Sequence, residues 1–276
     1  MYGILTLSLK VTNWCDLNCA HCCECSGRNN PTNFIPLTRI EQYIHEFQEV
    51  PFNLSPHYTI GGGESLAPYQ FGNSEYIPQV LSCIYKVGGI PTIKTNGVWG
   101  KRYDMRSDTL KSLAKSAYMG DKLLTLDISV DEFHNNLDGV ANITTDVVQS
   151  DYLLSAIRIC LLGFNTPGTQ KAMMALRAKL SDREIYCEDL PNGDMGVYCT
   201  NNRGMRVIVD DVVDVYDLGR AKDNKVYTVC YNTDATYVNC LQIDNNNLAI
   251  LNYIYSEQIA GRSLTRVMQS LLSKQK

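Results

Sequence analysis

The sequence predicts an α/β protein: a parallel barrel of six strand–helix units, followed by a small C-terminal α+β extension. Three observations predict it. Apolar runs that alternate with period two take turns with apolar stripes at helical spacing, from the N-terminus to about residue 215. The stretches richest in Cys, Gly, Asn and Asp directly follow the strand-like runs, at the carboxyl ends where a barrel of parallel strands carries its site. Beyond residue 221 the pattern changes to short strand-like pieces and one terminal helix. The expected division is therefore 1–221 for the core and 222–276 for the extension.

Each element has its own signal. Ile4 to Val11 alternates and is rich in β-forming residues, and it delivers the chain into a cysteine-rich loop. Leu37 to Val50 places Ile40, Tyr43, Ile44 and Phe47 on one helical face, with Thr38 and Glu41 as a capping pair and Pro51 as the stop. His57 to Ile60 is a strand that runs into Gly61-Gly62-Gly63-Glu64. Ser74 to Val87 is a helix closed by Gly88-Gly89, and Ile90 to Thr95 a strand that ends at Thr95-Asn96-Gly97. Ser107 to Met119 is helical. Leu123 to Val130 is a dense strand that leads into Asp131-Glu132-Phe133-His134. Thr144 to Leu162 reads as containing a long helix with Val147, Val148, Tyr152, Leu153, Ala156, Ile157 and Cys160 inward; Lys171 to Leu180 is helix by propensity but strand by position, and the alternation of units favours a fifth strand at Met174–Leu180, with Arg177 either turned toward the pocket or on a solvated face. Asp182 to Gly204 reads as irregular. Val207 to Val215 is β-branched and makes the sixth strand. In the extension, 225–231, 237–243 and 248–254 read as strand pieces and Ser263 to Ser273 as a helix.

Composition narrows the class. The chain has 276 residues, 45% of them hydrophobic, enough for a sizeable core. Its formal net charge of −4 comes with no basic stripe, so no extended nucleic-acid surface is expected. The N-terminal residues lack the charged and apolar regions of a signal peptide, and no segment is long and apolar enough to span a bilayer, so no membrane partner is expected. Eleven cysteines without an export signal read as cluster or metal ligands plus core packing in a reducing, cytoplasmic compartment.

The cysteine loop carries the chemistry. Cys15, Cys19 and Cys22 stand at C-x3-C-x2-C. That spacing is too tight for each thiol to hold its own metal, and it suits a loop wrapped around one face of a compact iron–sulfur cluster, for which thiolates are the soft ligands. Cys23 and Cys25 follow closely, so a zinc site is the rival, and core packing of the thiols is the plainest alternative. Three glycines after the second strand let a backbone pass close to a ligand.

The Cys15–Cys19–Cys22 loop resembles the signature of the radical S-adenosylmethionine (radical SAM) superfamily, and Gly62-Gly63-Glu64, one strand–helix unit later, resembles its second motif. His21 stands where the family usually carries an aromatic residue. The resemblance covers about residues 1–221. It implies a partial (β/α)6 TIM-like barrel, open on one side, with Cys15, Cys19 and Cys22 on a [4Fe-4S] cluster whose fourth iron is left for SAM. It implies SAM contacts from Gly62, Gly63, Glu64, Thr95 and Asn96. The carboxyl end of the fourth strand of a parallel barrel adds Ser129 as a candidate SAM contact and Asp131 and His134 as catalytic candidates, against a reading as polar rim residues. The resemblance implies reductive cleavage of S-adenosyl-L-methionine to methionine and a 5′-deoxyadenosyl radical that takes hydrogen from a substrate. The electron would come from a reductant such as flavodoxin or ferredoxin. Gly219-Arg220-Ala221 resembles the close of the core in peptide-modifying members, which favours a ribosomal peptide or protein as substrate over a small metabolite or nucleoside. Such members carry an auxiliary iron–sulfur cluster in a C-terminal domain. Cys187, Cys199, Cys230 and Cys240 are the candidates for a reduced version, against a reading as buried thiols.

Overall fold

A computed structural model of the chain describes residues 4–19, 22, 26–49, 53–164, 166–190, 195–199, 204–212, 214–215, 229–230, 239–244, 248–251, 255–259 and 263–273. The element order begins β1 (Ile4–Thr12), α1 (Leu37–Gln48), β2 (Asn53–Gly62), α2 (Ala67–Gln70), α3 (Tyr76–Lys86) and β3 (Ile90–Thr95). A short 3-10 turn at Val98–Lys101 leads to α4 (Tyr103–Gly120), β4 (Leu124–Ser129), α5 (Leu137–Gln149), α6 (Asp151–Leu154), β5 (Ile157–Phe164) and α7 (Pro167–Ser181). Then come β6 (Ile185–Asp189), β7 (Met195–Cys199), β8 (Gly204–Val212), β9 (Asp214–Val215) and β10 (Val229–Cys230). The chain ends with β11 (Asn239–Asp244), β12 (Leu248–Leu251), β13 (Tyr255–Gln258) and α8 (Leu264–Ser273).

One eleven-stranded sheet orders these as β13-β12-β11-β1-β2-β3-β4-β5-β8-β7-β6. Its centre, β1-β2-β3-β4-β5-β8, is parallel throughout and follows chain order. Right-handed crossovers that always step the same way put every crossover helix on one face, so the sheet curls as a partial (β/α)6 TIM-like barrel. The barrel does not close: β8 turns to the antiparallel β7–β6 hairpin, while β11 adds in parallel to the free edge of β1. The α+β extension thus continues the core sheet, with β12 and β13 antiparallel beyond β11 and α8 packed on α1.

Period two separates the two faces. Leu7, Leu9 and Val11 of β1, Tyr58 and Ile60 of β2, Ile93 of β3 and Leu124, Leu126 and Ile128 of β4 join Ile40, Ile44 and Phe47 of α1 in one buried core. The other face carries Ser8, Lys10 and Thr12, then Thr59, Thr92 and Lys94, then Thr125, Asp127 and Ser129. Its polarity suits the inside of an open barrel that admits a polar ligand.

Four sequence expectations are corrected. The fifth strand is Ile157–Phe164, not Met174–Leu180. The predicted long helix stops in two pieces before it, and Ile157, Ile159 and Leu161 are buried strand residues that pair with β4. The segment read as a strand is α7. Thr166 caps it by accepting from the Thr169 N–H, and Pro167 begins its first turn, a start signal of recognised type. Asp182 to Gly204 contains the β6–β7 hairpin rather than irregular chain. Finally, α1 starts after Pro36 with no side-chain cap, so Thr38 and Glu41 do not form the expected capping pair.

Candidate active site

The cysteine loop leaves β1 at its carboxyl end, beside the ends of β2, β3 and β4. Cys15 is buried, while Cys19 and Cys22 are half-buried, and none of the three is in a disulfide. The loop is folded by its own backbone. The Cys22 N–H donates to the Cys19 carbonyl at 3.2 Å, and the Cys15 N–H to the Gly27 carbonyl at 3.4 Å. Two sulfurs already accept backbone N–H groups, Cys15 Sγ from Leu17 at 3.4 Å and Cys22 Sγ from Ser26 at 3.4 Å. Bonds of that kind stabilise thiolates on iron. Soft donors outside any disulfide, with N–H···S bonds on one loop, make the residues present a fit for a thiolate-bound cluster. Among the described residues, no three or more His, Cys, Asp or Glu side chains gather as a ready site for a single ion. His21, Cys23 and Cys25 lie outside the described residues.

The glycine edge braces this loop. The Gly63 N–H donates to the Thr12 carbonyl and the Glu64 N–H to the Trp14 carbonyl, both at 2.8 Å. A Cβ on Gly63 would stand 1.9 Å from the Trp14 carbonyl oxygen, and Gly62 has φ +115°. The close backbone approach that glycines permit is therefore used against the cysteine loop itself.

Glu64 is wholly buried and its carboxylate faces β3. It accepts from the Thr95 hydroxyl at 2.7 Å, from the Asn96 N–H at 2.9 Å and from the Leu66 N–H at 2.9 Å. Burial and then the nearby Asp16 carboxylate push its pKa up to about 7, outweighing those three donors. Thr95 is committed on both sides, since its oxygen also accepts from Trp99 Nε1 at 2.9 Å. Asn96 returns to the loop: its side-chain amide donates to Asp16 Oδ1 at 2.6 Å and to Cys15 Sγ at 3.5 Å. Burial, and next the charge of Glu64, pushes the Cys15 thiol up to about 12, against the donors Leu17 N–H and Asn96. In this form Cys15 holds its proton, and a metal that bound it would have to displace that proton.

The end of β4 closes the other side. The Ser129 carbonyl accepts from Asn136 Nδ2 at 2.6 Å, and the same nitrogen donates to the Asn96 carbonyl, so Asn136 staples β3 to β4. Asp131 is 4% exposed. Its Oδ1 accepts from the Phe133 N–H at 2.8 Å and the His134 N–H at 3.1 Å, and its two oxygens lie 2.8 and 2.9 Å from His134 Nδ1. Cys19 Sγ lies against this loop, 3.9 Å from the Phe133 carbonyl. Burial alone would lower His134, but its bonds to Asp131 and Cys19 push it up to about 10.

The structure therefore brings together Cys15, Gly63, Glu64, Thr95 and Asn96 on one side of the loop and Cys19, Asp131 and His134 on the other. Asp16 and Asn136 are the site residues the sequence reading missed. Asp16 sits inside the motif, but Asn136 has only a cap-like place before α5 as its signal. Arg177 does not reach the site; it lies on α7 and pairs with Asp189 at the surface. Cys187 and Cys199 share one face of the β6–β7 hairpin at one edge of the sheet, whereas Cys240 is on β11 beside β1 and Cys230 pairs with Asp214. Gly219-Arg220-Ala221 lies outside the described residues.

Solved structures similar to the chain include one of an anaerobic sulfatase-maturating enzyme, a radical SAM enzyme, in its native form with bound AdoMet. The match has TM-score 0.54 at 12% identity and covers 96% of this chain and 80% of that one. The chain shares the fold of that enzyme. A His-tagged form of the same enzyme with bound AdoMet gives TM-score 0.52 at 14% identity, over 96% of this chain and 77% of that one. No protein-family model matches, and no curated protein matches. No helix among the described residues is long and apolar enough to cross a membrane.

Proposed function

We propose that the protein is a radical SAM enzyme, with Cys15, Cys19 and Cys22 as ligands of a [4Fe-4S] cluster. The observation that carries this reading is the placement of three cysteines outside any disulfide on the loop after β1 of this fold, two of whose sulfurs accept N–H groups. When bound, the cluster supplies one-electron cleavage of SAM to methionine and a 5′-deoxyadenosyl radical, which abstracts hydrogen from substrate. The chain's own residues do the rest. Gly62, Gly63 and Glu64 fix the loop on one side, and Thr95 and Asn96 tie it to β3. Ser129 stands at the end of β4 on the polar face, which supports its assignment as a SAM contact. The open side of the barrel admits the substrate, and the buried site keeps water from the radical.

For substrate, we favour a peptide or protein. The support is the fold shared with a sulfatase-maturating enzyme over nearly the whole chain. A small metabolite or nucleoside is the alternative, and a non-catalytic iron–sulfur or zinc protein is the reading from another class. Anaerobic reconstitution with iron and sulfide, followed by SAM and dithionite, tests the proposal. The expected result is four irons per chain and 5′-deoxyadenosine in the quenched mixture. One zinc per chain, with SAM intact after reconstitution, would contradict it. Flavodoxin or ferredoxin in place of dithionite then tests the physiological type of reductant.

A further inference from the structure

The inner face of the open barrel carries a charged row with a gap in it. Lys10 of β1, Lys94 of β3 and Asp127 of β4 stand on the polar face, while their strand neighbours Leu9, Val11, Ile93, Leu126 and Ile128 fill the core on the other. Lys10 pairs in register with Gly61 of β2, and Ile60 pairs with Ile93, which puts Gly61 beside Lys94. Lys94 pairs in turn with Asp127, and on its other side Lys10 pairs with Asp244 of β11. The row therefore runs Asp244–Lys10–Gly61–Lys94–Asp127, with the two lysines flanking a residue that has no side chain. Lys10 and Asp244 are each 7% exposed, and Lys94 and Asp127 are half-buried. Space over Gly61 is open. Among the described residues, a Cβ there would have only Ser8 Oγ at 3.8 Å and Thr59 Cγ2 at 4.0 Å within 4 Å, and neither lysine side chain fills the place.

We infer that the gap over Gly61 is a subsite for a carboxylate of the substrate, held between the ammonium groups of Lys10 and Lys94. This names the substrate class for the proposed function, a peptide that presents an acidic side chain, and rests on that reading. Neighbouring strands set the two lysine backbones about 10 Å apart, and their flexible four-carbon stems let both ammonium groups turn to one group between them. Each ammonium has three donors, so one turned to the outer aspartate leaves two for the gap. Charged donors bind a carboxylate more strongly than neutral ones do. The row balances two cations with two anions, so it offers donors without net positive charge, which suits a singly charged carboxylate better than a phosphate dianion. Its depth also fits. Asn96 and Ser129 follow Lys94 and Asp127 by two residues, so a group held here lies roughly 7 Å below the proposed SAM contacts.

The test is equilibrium binding of two capped probes, acetyl-glutamate amide and acetyl-glutamine amide, to the anaerobically reconstituted protein, read by nuclear magnetic resonance of the probe. The two have the same shape and differ in charge. The glutamate probe is expected to bind at least about tenfold more tightly, and Lys94→Gln to lose about tenfold of that affinity. Gly61→Leu, which fills the gap and keeps both lysines, should abolish it. SAM affinity, measured alongside, should stay within about twofold of wild type in both variants. Equal binding of the two probes, binding of neither by wild type, or an unchanged glutamate affinity in Lys94→Gln or Gly61→Leu would overturn the inference. A loss of SAM affinity in Lys94→Gln with glutamate binding intact would give the lysines to the carboxylate of SAM and overturn it as well. Should Gly61→Leu fail to fold, an unchanged glutamate affinity in Lys10→Gln would count against it equally. Probe binding is read without turnover, so failure of wild type to take up a four-iron cluster is a separate outcome, and it removes the proposed function itself.

Discussion

Two groups of thiols in this chain are treated in opposite ways by the fold. Cys15, Cys19 and Cys22 occupy a loop at the carboxyl end of β1, where backbone N–H groups turn toward the sulfurs of Cys15 and Cys22 and the Asn96 side chain toward that of Cys15. Cys187 and Cys199 stand on one face of the β6–β7 hairpin, packed with the apolar core around Val197 and Val207. Burial raises the Cys187 thiol, with the Arg177 charge a lesser, opposing influence. Number and spacing of cysteines do not separate the groups; their neighbours do. Polar hydrogens aimed at sulfur prepare a ligand, whereas an apolar coat leaves a thiol as a small hydrophobe.

The largest expected effect breaks that comparison directly. Cys19→Ala should abolish iron uptake and SAM cleavage, while Cys187→Ala and Cys199→Ala should keep full iron after reconstitution. Iron loss in either hairpin variant would assign a cluster to the hairpin. Next comes the glycine edge that braces the loop. Gly63→Ala drives a Cβ into the Trp14 carbonyl and should destabilise the fold by about 3 kcal/mol or more, whereas Gly61→Ala meets nothing nearer than 3.8 Å and should change little. Denaturant midpoints of the two variants measure the contrast. Glu64→Ala leaves the donors of Thr95, Asn96 and Leu66 without their acceptor and should cost about 2–4 kcal/mol.

Glu64 also gives a pH signature in the metal-free protein. Its folded pKa is raised from an ordinary 4.5 to about 7, so the folded chain holds the proton more tightly than the unfolded chain. Its contribution to stability is full below 4.5 and is lost as pH rises toward 7. Unfolding midpoints across that window should fall with rising pH in wild type and lose that slope in Glu64→Gln. The smallest effect belongs to Arg177. Its partner Asp189 has a side chain 80% exposed, so Arg177→Ala should cost less than about 1 kcal/mol and leave iron content unchanged.

The sequence made the first four strands legible because each is short, alternating and followed by Gly, Asn or Asp at a strand end. It misled after residue 149. Ile157-Arg158-Ile159-Cys160-Leu161-Leu162 continues an apolar pattern from α5 closely enough to read as the same helix, and Met174 to Leu180 then had to serve as the missing strand. Thr166-Pro167 was the local signal that a helix begins there. At the candidate site, the three loop cysteines and the glycine edge were visible because they stand in short, regularly spaced motifs. The braces were not. Asn96 reaches Asp16 across 80 positions and Asn136 reaches Asn96 across 40, and contacts of that range leave no local pattern. The same gap hid the work of Glu64, which reads as a carboxylate for a ligand and is found committed to the end of β3.

The most direct measurement is iron and sulfide per chain, together with the Mössbauer spectrum, for the anaerobically reconstituted protein beside a Cys15→Ala/Cys19→Ala/Cys22→Ala variant. The expected result is four irons and four sulfides with a [4Fe-4S] spectrum in wild type and none in the variant. The same cluster retained by the triple variant, or zinc alone in wild type, would contradict the assignment of the cysteine loop.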